Sequence, residues 1–313
     1  MVIAVSKMLL TCNRTTLQCF DVDSPLTEPA LKILSRLPNL RVLRLVLEGP
    51  TLLSPMALPN LVGVYILYTN GHEWLRSFYG AALNKLVSVY FYTISPHIGD
   101  FLEAFEGVGL ATSISTTLST FKFYSLHPWN PTYSSLLAFK QLTTLTIANP
   151  CRIHCSSTVD DNIVVDLARA MPKLRILQLG SEPCKTLTGV TVKGLVELAC
   201  HCIDLSTLRV HIRVDSLVQV ARDVVTSHSN GEHAAPPEGC ALTTLEVGNT
   251  PIPQGTAMIV ALALLYIFPR ISIINYTNTQ WGGVVGTITL SKRLSSRIGA
   301  LARSSRLIAD TPP

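Results

Sequence analysis

The sequence predicts an α/β solenoid: a curved parallel β-sheet with helices or turns on its convex side. Three observations lead there. The spacing L-x-x-L-x-L, with Val, Ile, Phe or Tyr allowed at the apolar positions, recurs along most of the chain. The copies share flanking words: "LPNL" at 37 and 58, "MPKL" at 171, "FPRI" at 268, "LTTLTI" at 142 and "LTTLEV" at 242. Helical patterns stand between the later copies.

Taken in order, a degenerate copy opens around Leu17. Full copies follow at Leu40-Leu43-Leu45, Leu61-Val64-Ile66, Leu86-Val89-Phe91 and Leu118-Phe121-Phe123. Next come Leu142-Leu145-Ile147, Leu174-Leu177-Leu179, Leu205-Leu208-Val210 and Leu242-Leu245-Val247, and a weaker Ile271-Ile274-Tyr276. The final L-x-L of each copy has period two, so its two apolar residues share one face of a short strand. The Leu three residues earlier fills the adjacent core. Pro or a polar pair ahead of it ends the preceding segment. One unit cannot bury its apolar face alone; stacked units can.

Successive copies start 21 to 37 residues apart, from 40 to 61 at the shortest and 205 to 242 at the longest. The short early steps hold a turn or a brief helix. Helices are expected over 26–37, with Thr27 opening and Pro29 in the first turn, over 158–172, 188–200 and 214–225. The apolar run 257–268 is too short to span a bilayer, which needs about 20 residues, and reads as a buried helix. Residues 227–239 are a polar Pro/Gly loop, and 127–133 are irregular. Three regions result: an N-terminal segment 1–16, an irregular repeat domain 17–280 of about nine or ten repeats, and a basic C-terminal tail 281–313.

Composition agrees. The chain has 313 residues, 48% hydrophobic and 14% charged, enough to bury a large core and too apolar for disorder. Net charge is +5, much of it in the tail at Lys292, Arg293, Arg297, Arg303 and Arg306. That tail reads as a basic amphipathic end, solvated or in contact with acidic lipid or nucleic acid. The chain has no long basic stripe or RNA-binding motif, which argues against nucleic acid as the partner. Eight scattered cysteines make no disulfide framework; reduced, mostly buried thiols and an intracellular site, cytoplasm or nucleus, are expected. No secretory leader is read at the N-terminus.

On these motifs the chain resembles the leucine-rich-repeat family, in particular the repeat region of fungal F-box/leucine-rich-repeat proteins. The resemblance covers about Leu17 to Tyr276. It implies a protein-interaction role, with the F-box joining a cullin-type ubiquitin ligase and the repeats capturing substrate. Residues 1–16 are too few to hold an F-box, so ligase subunits are expected partners only if one lies upstream. The family places Asn or Cys three residues after the last Leu. Here those positions are Glu48, Thr69, Ile94, Leu126, Pro150, Glu182, Arg213 and Thr250, so the turns must be satisfied otherwise.

Motifs for chemistry are missing. G-x-S-x-G, Walker A, H-E-x-x-H and a dinucleotide glycine fingerprint do not occur, and "GVGLAT" at Gly107 lacks the third glycine. "CRIHC" (151–155) and "CHC" (200–202) lack the spacing of zinc knuckles. Asp160, Asp161 and Asp166 read as an acidic helix start. No cofactor, metal or catalytic residue is expected. Asn13 and Asn275 are glycosylation sequons that matter only on secretion.

Binding remains. Residues flanking each buried L-x-L point to the opposite, concave face. There the pattern puts Arg44, Tyr65, Tyr90, Tyr92, Lys122, Tyr124, Arg209 and His211 as candidate partner-binding residues. Tyr and Arg are enriched at interface hot spots. Tyr also favours strands, so the cluster admits both readings. The reading is a non-catalytic protein-interaction module. An extracellular recognition domain and an enzyme without a recognisable motif are the alternatives.

Overall fold

The computed structural model describes residues 16–34, 36–47, 58–68, 83–94, 116–126, 133–148, 159–180, 189–219 and 239–309, the last fourteen in backbone only. Ten strands lie in one parallel sheet, hydrogen-bonded in chain order from first to last. They are β1 (Cys19–Pro25), β2 (Val42–Leu47), β3 (Gly63–Tyr68), β4 (Ser88–Thr93) and β5 (Thr120–Ser125). Then follow β6 (Thr144–Ala148), β7 (Ile176–Leu179), β8 (Thr207–Arg209), β9 (Thr244–Gly248) and β10 (Ile273–Tyr276). The sheet does not close; β1 and β10 are its edges among the described residues.

Period-two patterning holds strand by strand. Leu43, Leu45, Val64, Ile66, Val89, Phe91, Phe121, Phe123, Leu145, Ile147, Leu177, Leu179, Leu208, Leu245 and Val247 are all buried in one continuous core. Each such side chain contributes about 1.5–3 kcal/mol by leaving water. β1 extends the pattern to the degenerate copy: Phe20 is buried and Asp21 aligns with Arg44.

The turn before each strand recurs as well. Leu61 N–H bonds Leu58 C=O, Leu86 bonds Leu83, and Leu142 bonds Phe139. Leu174 bonds Met171, Leu205 bonds Cys202, and Ile271 bonds Phe268. Both ends of all six turns are buried. Pro59, Pro172 and Pro269 take the second position, where a fixed φ suits the turn. The prolines of "LPNL", "MPKL" and "FPRI" are thus corner residues.

A hydrogen-bond ladder runs along the start of the strands. The residue just before each strand offers its carbonyl to two N–H groups of the next one. Ser119 and Thr120 bond Val87 C=O, Thr143 and Thr144 bond Ser119, and Arg175 and Ile176 bond Thr143. The arrangement continues with Ser206 and Thr207 on Arg175, Thr243 and Thr244 on Ser206, and Ser272 and Ile273 on Thr243. Where that residue is Ser or Thr, its hydroxyl donates to the same carbonyl. Thr143 does so to Ser119 at 3.1 Å and Ser206 to Arg175 at 3.0 Å. Thr243 bonds Ser206, and Ser272 bonds Thr243, both at 3.3 Å. After β9, buried Thr250 turns its hydroxyl to Val247 C=O at 2.7 Å.

Helices connect strands and share the core with their buried face. α1 (Glu28–Leu34) carries Pro29 in its first turn. α2 (Asp161–Ala170) begins at an Asp160 cap, whose carboxylate accepts from Ile163 N–H at 3.0 Å. α3 (Val192–His201) begins at a Thr191 cap. A short helix occupies 214–219; the rest of its expected span, the loop up to 238 and residues 127–132 lie outside the described residues. α4 (Ala257–Ile267) corrects one expectation: Val260, Ala261 and Leu264 are buried, but Met258 and Leu262 are exposed. α5 (Trp281–Ala309) occupies the expected basic tail, but its first turns are not solvated: Trp281, Val284 and Ile288 are buried in the core.

Candidate functional site

Strand register assembles the other face into straight rows. The central row runs Asp21, Arg44, Tyr65, Tyr90, Lys122, Thr146, Gln178, Arg209, Glu246 and Asn275, one residue per strand. A second row, Val46, Leu67, Tyr92, Tyr124 and Ala148, lies beside it. Adjacent strands are about 4.8 Å apart, so neighbours in a row touch.

The rows converge on an aromatic centre. Tyr65 and Tyr90 stack with ring centroids 4.3 Å apart and planes 14° from parallel. On the other side of Tyr90, the Lys122 ammonium sits 5.3 Å from the ring centroid, within cation–π reach. Burial, then the neighbouring Tyr65, push the Tyr90 phenol above its ordinary range, so its hydroxyl remains a neutral hydrogen-bonding group. Tyr92 is exposed, and Tyr124 lies next to it in register. An open groove of about 390 Å³ follows these strands, lined by Asp23, Arg44, Tyr65, Tyr90, Tyr92 and Tyr124 among others.

Charges on this face are largely paired with one another. Arg44 reaches Asp21 at 3.5 Å and Asp23 at 3.6 Å. Arg209 pairs with Glu246 of the next strand. Thr146 hydroxyl donates to the Gln178 side-chain oxygen at 3.3 Å. Six of the eight candidate residues thus form one contiguous patch on β2 to β5: Arg44, Tyr65, Tyr90, Tyr92, Lys122 and Tyr124. Arg209 lies four strands from Tyr90, roughly 19 Å away at this spacing. His211 lies just beyond the end of β8. Its carbonyl accepts from Val190 N–H at 2.7 Å, and its ring lies over Gly180. Gly180 leaves β7 with φ +90°, and a Cβ there would meet the imidazole at 3.5 Å.

Sequence reasoning missed Asp21 and Asp23, the partners of Arg44. The signal was present: reading the opening copy as Leu17-Phe20-Val22 puts Asp21 in the Arg44 position. The metal-type motif at 200–202 comes apart in the fold. Cys200 is exposed, His201 bonds Glu197 at 3.2 Å, and Cys202 is buried. Among the described residues no group of His, Cys, Asp and Glu could hold a metal ion; residues 151–155 lie outside them. Asp160 caps α2, Asp161 binds Thr191, and Asp166 is exposed. Among the described residues no helix is long and apolar enough to cross a membrane. No protein-family model matches the chain, and none of the curated proteins does.

Proposed function

We propose that the chain is a non-catalytic protein-interaction module of leucine-rich-repeat type that docks a protein partner on the open face of its sheet. One observation carries this reading: a stacked tyrosine pair, two further tyrosines and a groove of about 390 Å³ lie together on β2 to β5. Tyrosines supply large contact area at small entropic cost, and each brings a hydroxyl to the interface. The flanking ion pairs are internally satisfied, so attraction at this patch comes from aromatic burial more than from net charge. Capture of substrate for a cullin-type ubiquitin ligase extends the reading where an F-box module is joined to the chain. An intracellular site accords with the exposed free thiols of Cys19 and Cys200.

The test is a comparison of the native chain with Tyr90→Ala/Tyr92→Ala in quantitative pull-downs. A partner docked on the patch loses about 2 kcal/mol or more, about thirtyfold in Kd. Its retention changes little between low and moderate salt, because the face holds few unpaired charges. Unchanged binding in the double variant removes the patch as the interface.

A further inference from the structure

α5 changes character along its length. Its first turns are anchored: Trp281, Val284 and Ile288 are buried, and the Trp281 indole N–H donates to Thr250 C=O at 2.8 Å. Beyond Ile288 the helix runs on to Ala309, about 30 Å at 1.5 Å per residue. Its apolar side chains there leave the core: Leu290 is 59% exposed and Leu294 51%. Helical spacing carries the same stripe to positions 298, 301 and 308. Positions 292, 303 and 306, all basic, fall on the opposite side of the helix, where the Lys292 ammonium donates to Arg270 C=O at 3.2 Å; 293 and 297, also basic, border the stripe. From 281 to 309 the chain holds five cations, Lys292, Arg293, Arg297, Arg303 and Arg306, and no Asp or Glu.

We propose that α5 beyond Ile288 lies along an anionic lipid surface, with the stripe of Leu290 and Leu294 at the acyl boundary and the cations among the headgroups. An exposed apolar stripe bordered by cations, on a stretch with no acidic residue, is what such a surface selects. A nucleic acid would use the cations but gain nothing from the exposed leucines. A protein groove would use both, but its anchors are commonly bulky aromatics. Residues 289–309 contain no Phe, Trp or Tyr. A lipid surface requires apolar area without shape. The fixed end of the helix, buried through Trp281, would hold the sheet beside that surface.

The test uses the full chain in co-sedimentation with vesicles of phosphatidylcholine alone, and of phosphatidylcholine with phosphatidylserine. The chain sediments with the serine-containing vesicles and not with the others. Arg293→Glu weakens this by more than the roughly fivefold expected for each cation neutralised. Leu290→Glu/Leu294→Glu weakens it about tenfold or more. Both leucines are exposed, so an unchanged thermal melt shows that the fold survives. Failure to sediment, or full retention in the leucine variant, overturns the proposal. Tighter binding to single-stranded RNA or to calcium-loaded calmodulin than to the vesicles also overturns it, assigning the helix to a polyanion or to a protein groove.

Discussion

Cys202 shows how a single side chain is committed to structure. Its thiol is buried and lies 3.6 Å from Met171 C=O and 3.8 Å from Ala168 C=O. Burial, then the nearby Cys240, push it from its ordinary 9.0 up to about 12. Burial likewise raises Cys240, whose thiol faces Cys202 C=O at 3.9 Å. A thiol reacts as its thiolate, so neither is a nucleophile near neutral pH. Cys19 and Cys200 are exposed and free. Brief treatment of the native chain with iodoacetamide, read by peptide mass spectrometry, labels Cys19 and Cys200 and spares Cys202 and Cys240 until denaturant is added. Rapid native labelling of Cys202 would reveal an opening between α2 and α3. At this scale the sequence was only partly legible. It named the cysteines and favoured burial, but which ones face the core depends on helix phase at Cys200 and Cys202, strand alternation at Cys19 and the turn before β9 at Cys240. Arg44 and Arg209 appeared as available charges for a related reason. Their acidic partners stand on adjacent strands, 23 and 37 residues away, and only register brings them together.

Among elements, the joint between α2 and α3 is the most specific. Asp161 opens α2, and one carboxylate oxygen accepts from Thr191 N–H at 2.7 Å. The other accepts from the Thr191 hydroxyl at 2.5 Å. That hydroxyl in turn accepts from Lys193 N–H at 3.2 Å, capping α3. Gly194 permits the approach, because a Cβ there would stand 2.7 Å from the Asp161 carboxylate. One helix start therefore organises the next. Asp161→Ala and Thr191→Val should each cost about 1–3 kcal/mol in urea unfolding. The double variant should cost clearly less than the sum, because both remove the bond between the Thr191 hydroxyl and the Asp161 carboxylate. Strict additivity would mean that the two helix starts are independent. The sequence showed both helix starts but not their connection. It also displayed "LTTL" twice without its reason. The second Thr begins the strand, while the first adds its hydroxyl to the carbonyl of the preceding rung. The motif is a hydrogen-bonding device as much as a strand former.

Across the whole molecule, strand order equals chain order, so every sheet neighbour is a sequence neighbour at the scale of one unit. That feature was the most legible, because a recurring apolar spacing needs only local geometry to become a stack. The placement of the tyrosine patch followed from the same alternation. What eluded the sequence was how much of the face is neutralised by its own ion pairs. Sequential stacking also constrains how the molecule unfolds. Among the described residues no strand pairs with a distant one, so no strand pairing ties β1 directly to β10. Stability should then divide into a term for each unit and a term for each interface between neighbours. Leu177 is fully buried in β7, between Leu145 of β6 and Leu208 of β8. Leu177→Ala removes contacts in that rung and with its two neighbours, and should cost about 2–5 kcal/mol locally. Followed by hydrogen exchange and mass spectrometry, amide protection should fall most in β6 to β8. The loss should shrink toward β9 and β5 and vanish near β1 and β2, where neither partner nor core has changed. A uniform loss from β1 to β10 would instead make the sheet one cooperative unit, and the nearest-neighbour account of its stability would fail.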